Sequence, residues 1–173
     1  IGGTRRHLVD LATGQMRAGL DVAVAASALR QPDFEEDLLR LESIGVRVHR
    51  VPMVRPPAPV ADCLHLAALR RILRADRPDV VHTHASKGGA LGRMASVLDE
   101  TGARVHTPHT FAFLFAAEFS RPKRALYRAI EQGLAGHTAR TIAVSRGEGA
   151  TIAASGVVEP SRVRVVPNGI DPR

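Results

Sequence analysis

The 173-residue sequence holds one cysteine, Cys63. That excludes an internal disulfide framework and any zinc site built on cysteines within the chain. No apolar run approaches the ~18 residues that a membrane-spanning helix needs. Aromatic residues make up only 3% of the chain, too few for the interleaved basic and aromatic surface that grips nucleic acid by stacking. Lysine is nearly missing: Lys87 and Lys123 are the only two among 24 basic residues, and the others are arginines. Several motifs are missing too. No G-x-G-x-x-G follows a strand-like run, and no G-x-x-x-x-G-K-[ST] loop occurs. There is no G-x-S-x-G elbow and no Ser/His/Asp set for nucleophilic catalysis.

What is present suits a folded domain. Hydrophobic residues make up 45% and charged residues 24%, with a mean hydropathy of −0.04. Such a chain can bury one sizeable core and is neither a disordered tail nor a membrane bundle. The net charge is +7. Two readings of it stay open: a compositional bias towards Ala and Arg, or an anionic ligand such as a phosphate or a nucleotide.

Apolar spacing switches repeatedly between helical and strand-like periods. Thr4 is placed to cap a helix running to about Ala18. Asp21–Ala26 reads as a strand buried on both sides. A helix follows Pro32, with Asp33, Glu35 and Glu36 at its positive end. Val46–Val51 alternates and reads as an edge strand. After a proline-rich loop, a helix spans 61–75, with Leu64, Ala68, Leu69, Ile72 and Leu73 inward. Strands are expected at 80–84, 104–107, 141–144 and 162–166, with helices at 87–98, 123–134 and 146–154 between them. The small residues Gly88, Gly89, Ala90, Gly92 and Ala95 let the first of these helices lie close on a sheet.

Strands alternating with helices give a doubly wound parallel sheet, Rossmann-like, with helices on both faces. The helix at Thr4 should follow a strand that the sequence does not contain, so a break in the sheet is expected. The turn residues at Val166–Arg173 lead to no closing element. The chain reads as one domain, residues 1–173, cut from a longer protein.

In an open parallel sheet, ligands sit at the carboxyl ends of the strands. Gly2-Gly3 opens a helix where bare backbone and free N–H groups suit a phosphate; a plain tight turn is the other reading. Ser86-Lys87-Gly88-Gly89 brings a hydroxyl, an ammonium and a helix N-terminus together, which suits an anion. His82 and His84 share one strand face. His82 is expected to be a packed, hydrogen-bonded histidine. His109 follows Pro108 at a strand exit and is expected to contact a ligand. No carboxylate or cysteine completes a metal-ligand spacing with these histidines, so no metal site is expected. Phe111, Phe113, Phe115 and Phe119 either fold a loop onto the core or form an apolar wall for an acceptor.

These loops, taken in order, resemble the N-terminal domain of glycosyltransferase family 4, of GT-B architecture. The matching pieces are Gly2-Gly3-Thr4, Asp79–Lys87, Thr107-Pro108-His109-Thr110-Phe111, Thr141–Ser145 and Val165–Asp171. His84-Ala85-Ser86-Lys87 with His109–Phe113 is most similar to bacterial enzymes of cell-surface polysaccharide assembly. The resemblance implies one half of a two-domain enzyme that transfers a sugar, with retention, from a nucleotide-sugar donor to a sugar or lipid-linked acceptor. It implies that no metal or other cofactor is required. Gly2 and Gly3 would then approach the donor diphosphate, and His109 would bond the transferred sugar at the reaction centre. Ser86, Lys87 and Thr110 would lie towards the acceptor, and Asn168-Gly169 would lead to the donor-binding domain. A cytoplasmic setting with peripheral contact at the inner face of a membrane is expected, and no nucleic-acid partner. Without the second domain the 173 residues are expected to be inactive alone. The alternative is a non-catalytic Rossmann-like module that binds an anionic ligand or a glycolipid.

Overall fold

Strands joined by helical crossovers can pair only in parallel, and all the pairing in this chain is parallel. The computed structural model describes residues 2–54 and 56–169. Among these residues the strands form two sheets, and the chain divides into two compact units, 1–76 and 77–173. The architecture is α/β, and the expected break in the sheet is present: pairing stops after the second strand and resumes with the third.

The first unit contains α1 (Gly2–Arg17), β1 (Ala23–Ala26), α2 (Phe34–Ser43), β2 (Arg47–Arg50) and α3 (Pro59–Asp76). β1 pairs with β2 from Ala23↔Arg47 to Ala26↔Arg50. Val24 and Ala26 are buried with Ala12, Phe34, Leu38 and Leu41. Ala23 and Ala25 are exposed, which corrects the expectation of a strand buried on both sides. Its Val/Ala run hides an alternation in size, with only small side chains on the open face. α3 differs as well. Leu64, expected inward, is 67% exposed, and His65 beside it is buried. β2 has the wet face of an edge strand. Arg47 bonds Asp21 at 2.5 Å, and Arg50 bonds Glu42 at 2.7 Å.

The second unit runs β3 (Val80–His84), α4 (Ser86–Leu98), β4 (Ala103–Thr107), α5 (Arg121–Ala135), β5 (Arg140–Ala143), α6 (Arg146–Ala154) and β6 (Val163–Val165). Its sheet order, β3-β4-β5-β6, follows the chain. Each crossover therefore returns beside the strand it left, and all the carboxyl ends share one edge. A 3₁₀ turn at Ala112–Leu114 precedes α5. Phe111, Phe113, Ala143, Ile152, Val157 and Val158 form the core.

The glycines of α4 set its distance from the sheet. A Cβ on Gly92 would lie 2.8 Å from Thr83 Cγ2, and one on Gly89 would lie 2.4 Å from His106 Cε1. No other residue fits this close without displacing its neighbour. Under the helix lies a buried polar cluster. Arg93, 2% exposed, donates to Glu131 at 2.8 Å and to the Gly89 carbonyl at 2.9 Å. His106 Nδ1–H donates to Thr83 O at 3.2 Å and meets Thr83 Oγ1 at 3.0 Å. Its Nε2 has no hydrogen-bond partner.

Burial, followed by the charge on Arg93, holds the His106 imidazole well below its ordinary value of 6.5. The native ring stays neutral while the unfolded ring takes a proton below that value. The unfolded state then binds more protons, so this contribution is full above about pH 6.5 and is lost as pH falls. Burial raises the carboxyl of Glu131 above 4.5, against the pull of Arg93, and its contribution has the opposite sign. A His106→Gln variant isolates the histidine. Urea unfolding between about pH 7.5 and about pH 5.5 should show wild type losing stability more steeply than the variant. Parallel curves would refute the assignment.

Candidate functional site

The carboxyl ends of β3 and β4 carry three left-handed residues with side chains. Ala85, directly after β3, has φ 56° and ψ −175°, a region almost reserved for glycine. His109 and Thr110, just beyond β4, have φ 50° and φ 76°. Left-handed backbone costs a residue with a Cβ roughly 1–2 kcal/mol. Three of the five such residues among the described positions stand at this edge, where strain accompanies function more often than chance placement would.

Each corner is pinned from both sides. The Ala85 N–H donates to the Thr107 carbonyl at 3.0 Å, and the Ala85 carbonyl accepts from Gly89 in the first turn of α4. No side chain caps α4 and no acidic residue lies in its first turn. Its N-terminus therefore presents backbone donors and partial positive charge beside the Ser86 hydroxyl and the half-buried Lys87. Pro108 is buried, and Phe111, 2% exposed, stacks on Phe113 at 5.0 Å. These two phenylalanines fold the loop onto the core. Phe119 packs edge-on against Tyr127 at 5.2 Å. Leu114 and Phe115 are exposed.

Three imidazoles line up along this edge. His82 Nε2 meets Thr107 Oγ1 at 2.8 Å, as expected of a packed histidine, and its ring lies 4.3 Å from that of His84. His84 Nδ1 and His109 Nε2 are 3.4 Å apart with the rings stacked. In a neutral pair one nitrogen donates and the other accepts, so the second nitrogen of His109 is oriented by its neighbour.

The structure thus places Ser86, Lys87, His109 and Thr110 at neighbouring strand ends of one sheet. Gly2 and Gly3 belong to the first unit. They form the first turn of α1, whereas the sequence suggested a turn ahead of the helix, so Thr4 lies inside the helix and does not cap it. The reason is local: glycine without a side chain tolerates helical backbone, and first-turn N–H groups need no intrahelical acceptor. Ile170 and Asp171 of the last motif lie outside the described residues. Sequence reading missed Glu148. Its carboxylate accepts the Thr110 N–H at 2.8 Å and the Val144 N–H at 2.7 Å. The available signal was Ser145-x-x-Glu148, a helix-capping pattern; the Ser145 hydroxyl does accept from the Glu148 N–H, at 3.1 Å.

Clefts open on the second unit at two places among others. One, of about 420 Å³, is lined by Val97, Glu100, Gly102, Arg104 and His137. It lies at the amino ends of β4 and β5 and includes Glu100, which is left-handed as well (φ 50°). The other, about 300 Å³, is lined by Phe113, Leu114, Arg121, Arg124, Ala125 and Arg128. Arg124 donates to the Phe113 carbonyl at 2.7 Å, and Arg128 lies over the Phe113 ring. The larger of these two clefts thus lies at the end of the sheet opposite to His109 and Thr110.

The sequence profile of Glycosyltransferase Family 4 matches residues 1–173. The chain belongs to this family. A relative, an Escherichia coli UDP-Gal:alpha-D-GlcNAc-diphosphoundecaprenol alpha-1,3-galactosyltransferase, is 34% identical over 130 residues, covering 73% of this chain and 33% of the relative. The chain thus spans a third of that protein's length. In fold it resembles a glycosyltransferase from Rickettsia africae (TM-score 0.69, 14% identity) over 98% of this chain and 40% of that one. It also resembles MurG from Acinetobacter baumannii (TM-score 0.61, 13% identity) over 98% of this chain and 43% of that one. Among the described residues of the family-4 chain, no helix is long and apolar enough to cross a membrane.

Thr110 gives a direct test of the strain. It is exposed, so Thr110→Gly removes the left-handed penalty and little packing. Relief of about 1–2 kcal/mol, less about 0.5–1 kcal/mol for glycine's added freedom when unfolded, should leave the protein up to about 1.5 kcal/mol more stable to urea. A loss of stability would mean that the corner is not strained.

Proposed function

We propose that this chain is the acceptor-side half of a retaining glycosyltransferase that moves a sugar from a nucleotide-sugar donor to a hydroxyl of a lipid-linked acceptor, in bacterial polysaccharide or glycolipid synthesis. Family membership and the relative's printed activity support the reaction class. The observation that carries the residue assignment is the pairing of His84 with His109 at a strained strand exit, beside the uncapped N-terminus of α4.

In the proposed reaction the bond from the anomeric carbon to the diphosphate oxygen breaks as the acceptor oxygen bonds to the same carbon on the same face. The hydroxyl proton passes to the departing diphosphate oxygen. His109 bonds the transferred sugar, and Ser86, Lys87 and Thr110 position the acceptor. Catalysis then rests on orientation and on stabilising the leaving charge, with no metal or other cofactor. Most of the donor contacts would belong to the second domain that the family resemblance implies.

A cytoplasmic enzyme at the inner membrane face fits one surface. Exposed Leu114 shares a cleft with Arg121, Arg124 and Arg128, a mixed apolar and basic surface of the kind that rests on anionic lipid.

In the full-length protein, His109→Ala should lower kcat by about a hundredfold with the folded fraction preserved, and excess EDTA should leave the wild-type rate unchanged. Unchanged turnover per folded molecule would return His109 to the status of a structural histidine. Glycolipid binding without turnover by the wild-type protein would favour the binding module.

A further inference from the structure

Two consecutive residues with side chains, His109 and Thr110, are left-handed, and something must hold them there. The peptide plane between them is the hinge of the corner. Its orientation sets ψ of His109 and φ of Thr110 together, and it carries the Thr110 N–H. That N–H points at Glu148 Oε1, 2.8 Å away and 38 residues along the chain. The other oxygen of the same carboxylate accepts the Val144 N–H at 2.7 Å, so each oxygen holds one strand exit.

This is not ordinary helix capping. Glu148 is the third residue of α6, and Ser145 caps it. In a capping box the carboxylate would return to the N–H of the cap residue itself. Here it is directed to the residue before the cap and across to the end of the neighbouring strand. A charged acceptor on a backbone N–H is among the stronger hydrogen bonds. It is also the bond that a flip of the 109–110 peptide, the simplest relief of the strain, would have to break.

We propose that Glu148 is a positioning residue for transfer: its carboxylate locks the 109–110 peptide plane and so presents the His109 imidazole to the reacting sugar. The proposal rests on the transferase reading for its catalytic half only. The lock itself concerns the chain alone.

The test uses the full-length protein with Glu148→Ala and Glu148→Gln, and Ile152→Val as a control that weakens the core under α6 without touching the carboxylate. Glutamine keeps one acceptor but turns an NH₂ towards the other N–H. Two readouts are taken: exchange of the Thr110 amide, and kcat with KM for the donor. Both Glu148 variants should exchange Thr110 about tenfold faster or more. They should lose about tenfold in kcat with KM changed by less than about threefold, and Ile152→Val should do neither. Unchanged Thr110 exchange, with faster exchange confined to α6, would make Glu148 a helix cap and overturn the proposal. So would faster Thr110 exchange with kcat per folded molecule unaltered. A wild-type protein that transfers no sugar removes the transferase reading and with it the catalytic half; the exchange measurement then decides the lock by itself.

Discussion

The second unit depends on how closely α4 approaches its sheet. Gly92 rests against Thr83 and Gly89 against His106, at distances where a single methyl group would collide. That approach seals Arg93, Glu131 and His106 away from water. Inside the seal, charge must meet charge and every polar atom must find a partner or lose hydration. Arg93 and Glu131 satisfy each other, and His106 accepts neutrality. The same approach forces the chain to turn from β3 into α4 through one residue, Ala85, in backbone that suits glycine. The helix N-terminus is thereby brought to the strand ends. Packing in the core and chemistry at the edge are two results of one close contact.

Strain at the edge follows the same logic. Parallel strands release their chains on one side of the sheet, and short exits must turn sharply to reach the next helix. The β4 exit turns through His109 and Thr110, between buried Pro108 and buried Phe111. Fixed at both ends, the corner has few backbone states, so the imidazole it carries has few positions. A rigid corner of this kind suits a reaction in which orientation supplies much of the rate.

Much of this was legible in the sequence, because the information was local. β3 was read at its observed bounds, and the glycines of α4 announced a close helix–sheet contact. The strand exits at Ser86-Lys87 and His109-Thr110 stood out through turn chemistry. What escaped reading was non-local or a matter of size. Ala23 and Ala25 look as apolar as Val24, yet they face outward because nothing large is needed there. Leu64 fits a helical stripe whose buried side is instead taken by His65 and Leu69. Glu148 could be read as part of a capping pattern, but no spacing rule links it to Thr110. Nor does spacing reveal that the His84 and His109 rings meet directly.

The central claim is that the acceptor meets this chain at the carboxyl ends of the second sheet. The most direct measurement is photo-crosslinking of a lipid-linked acceptor analogue to the full-length protein, with the attached residues mapped by mass spectrometry. Crosslinks at Ser86–Lys87 and Thr110–Phe113, competed by unlabelled acceptor, are the predicted result. Crosslinks at the opposite edge, in the cleft of Val97, Glu100, Arg104 and His137, would contradict the account.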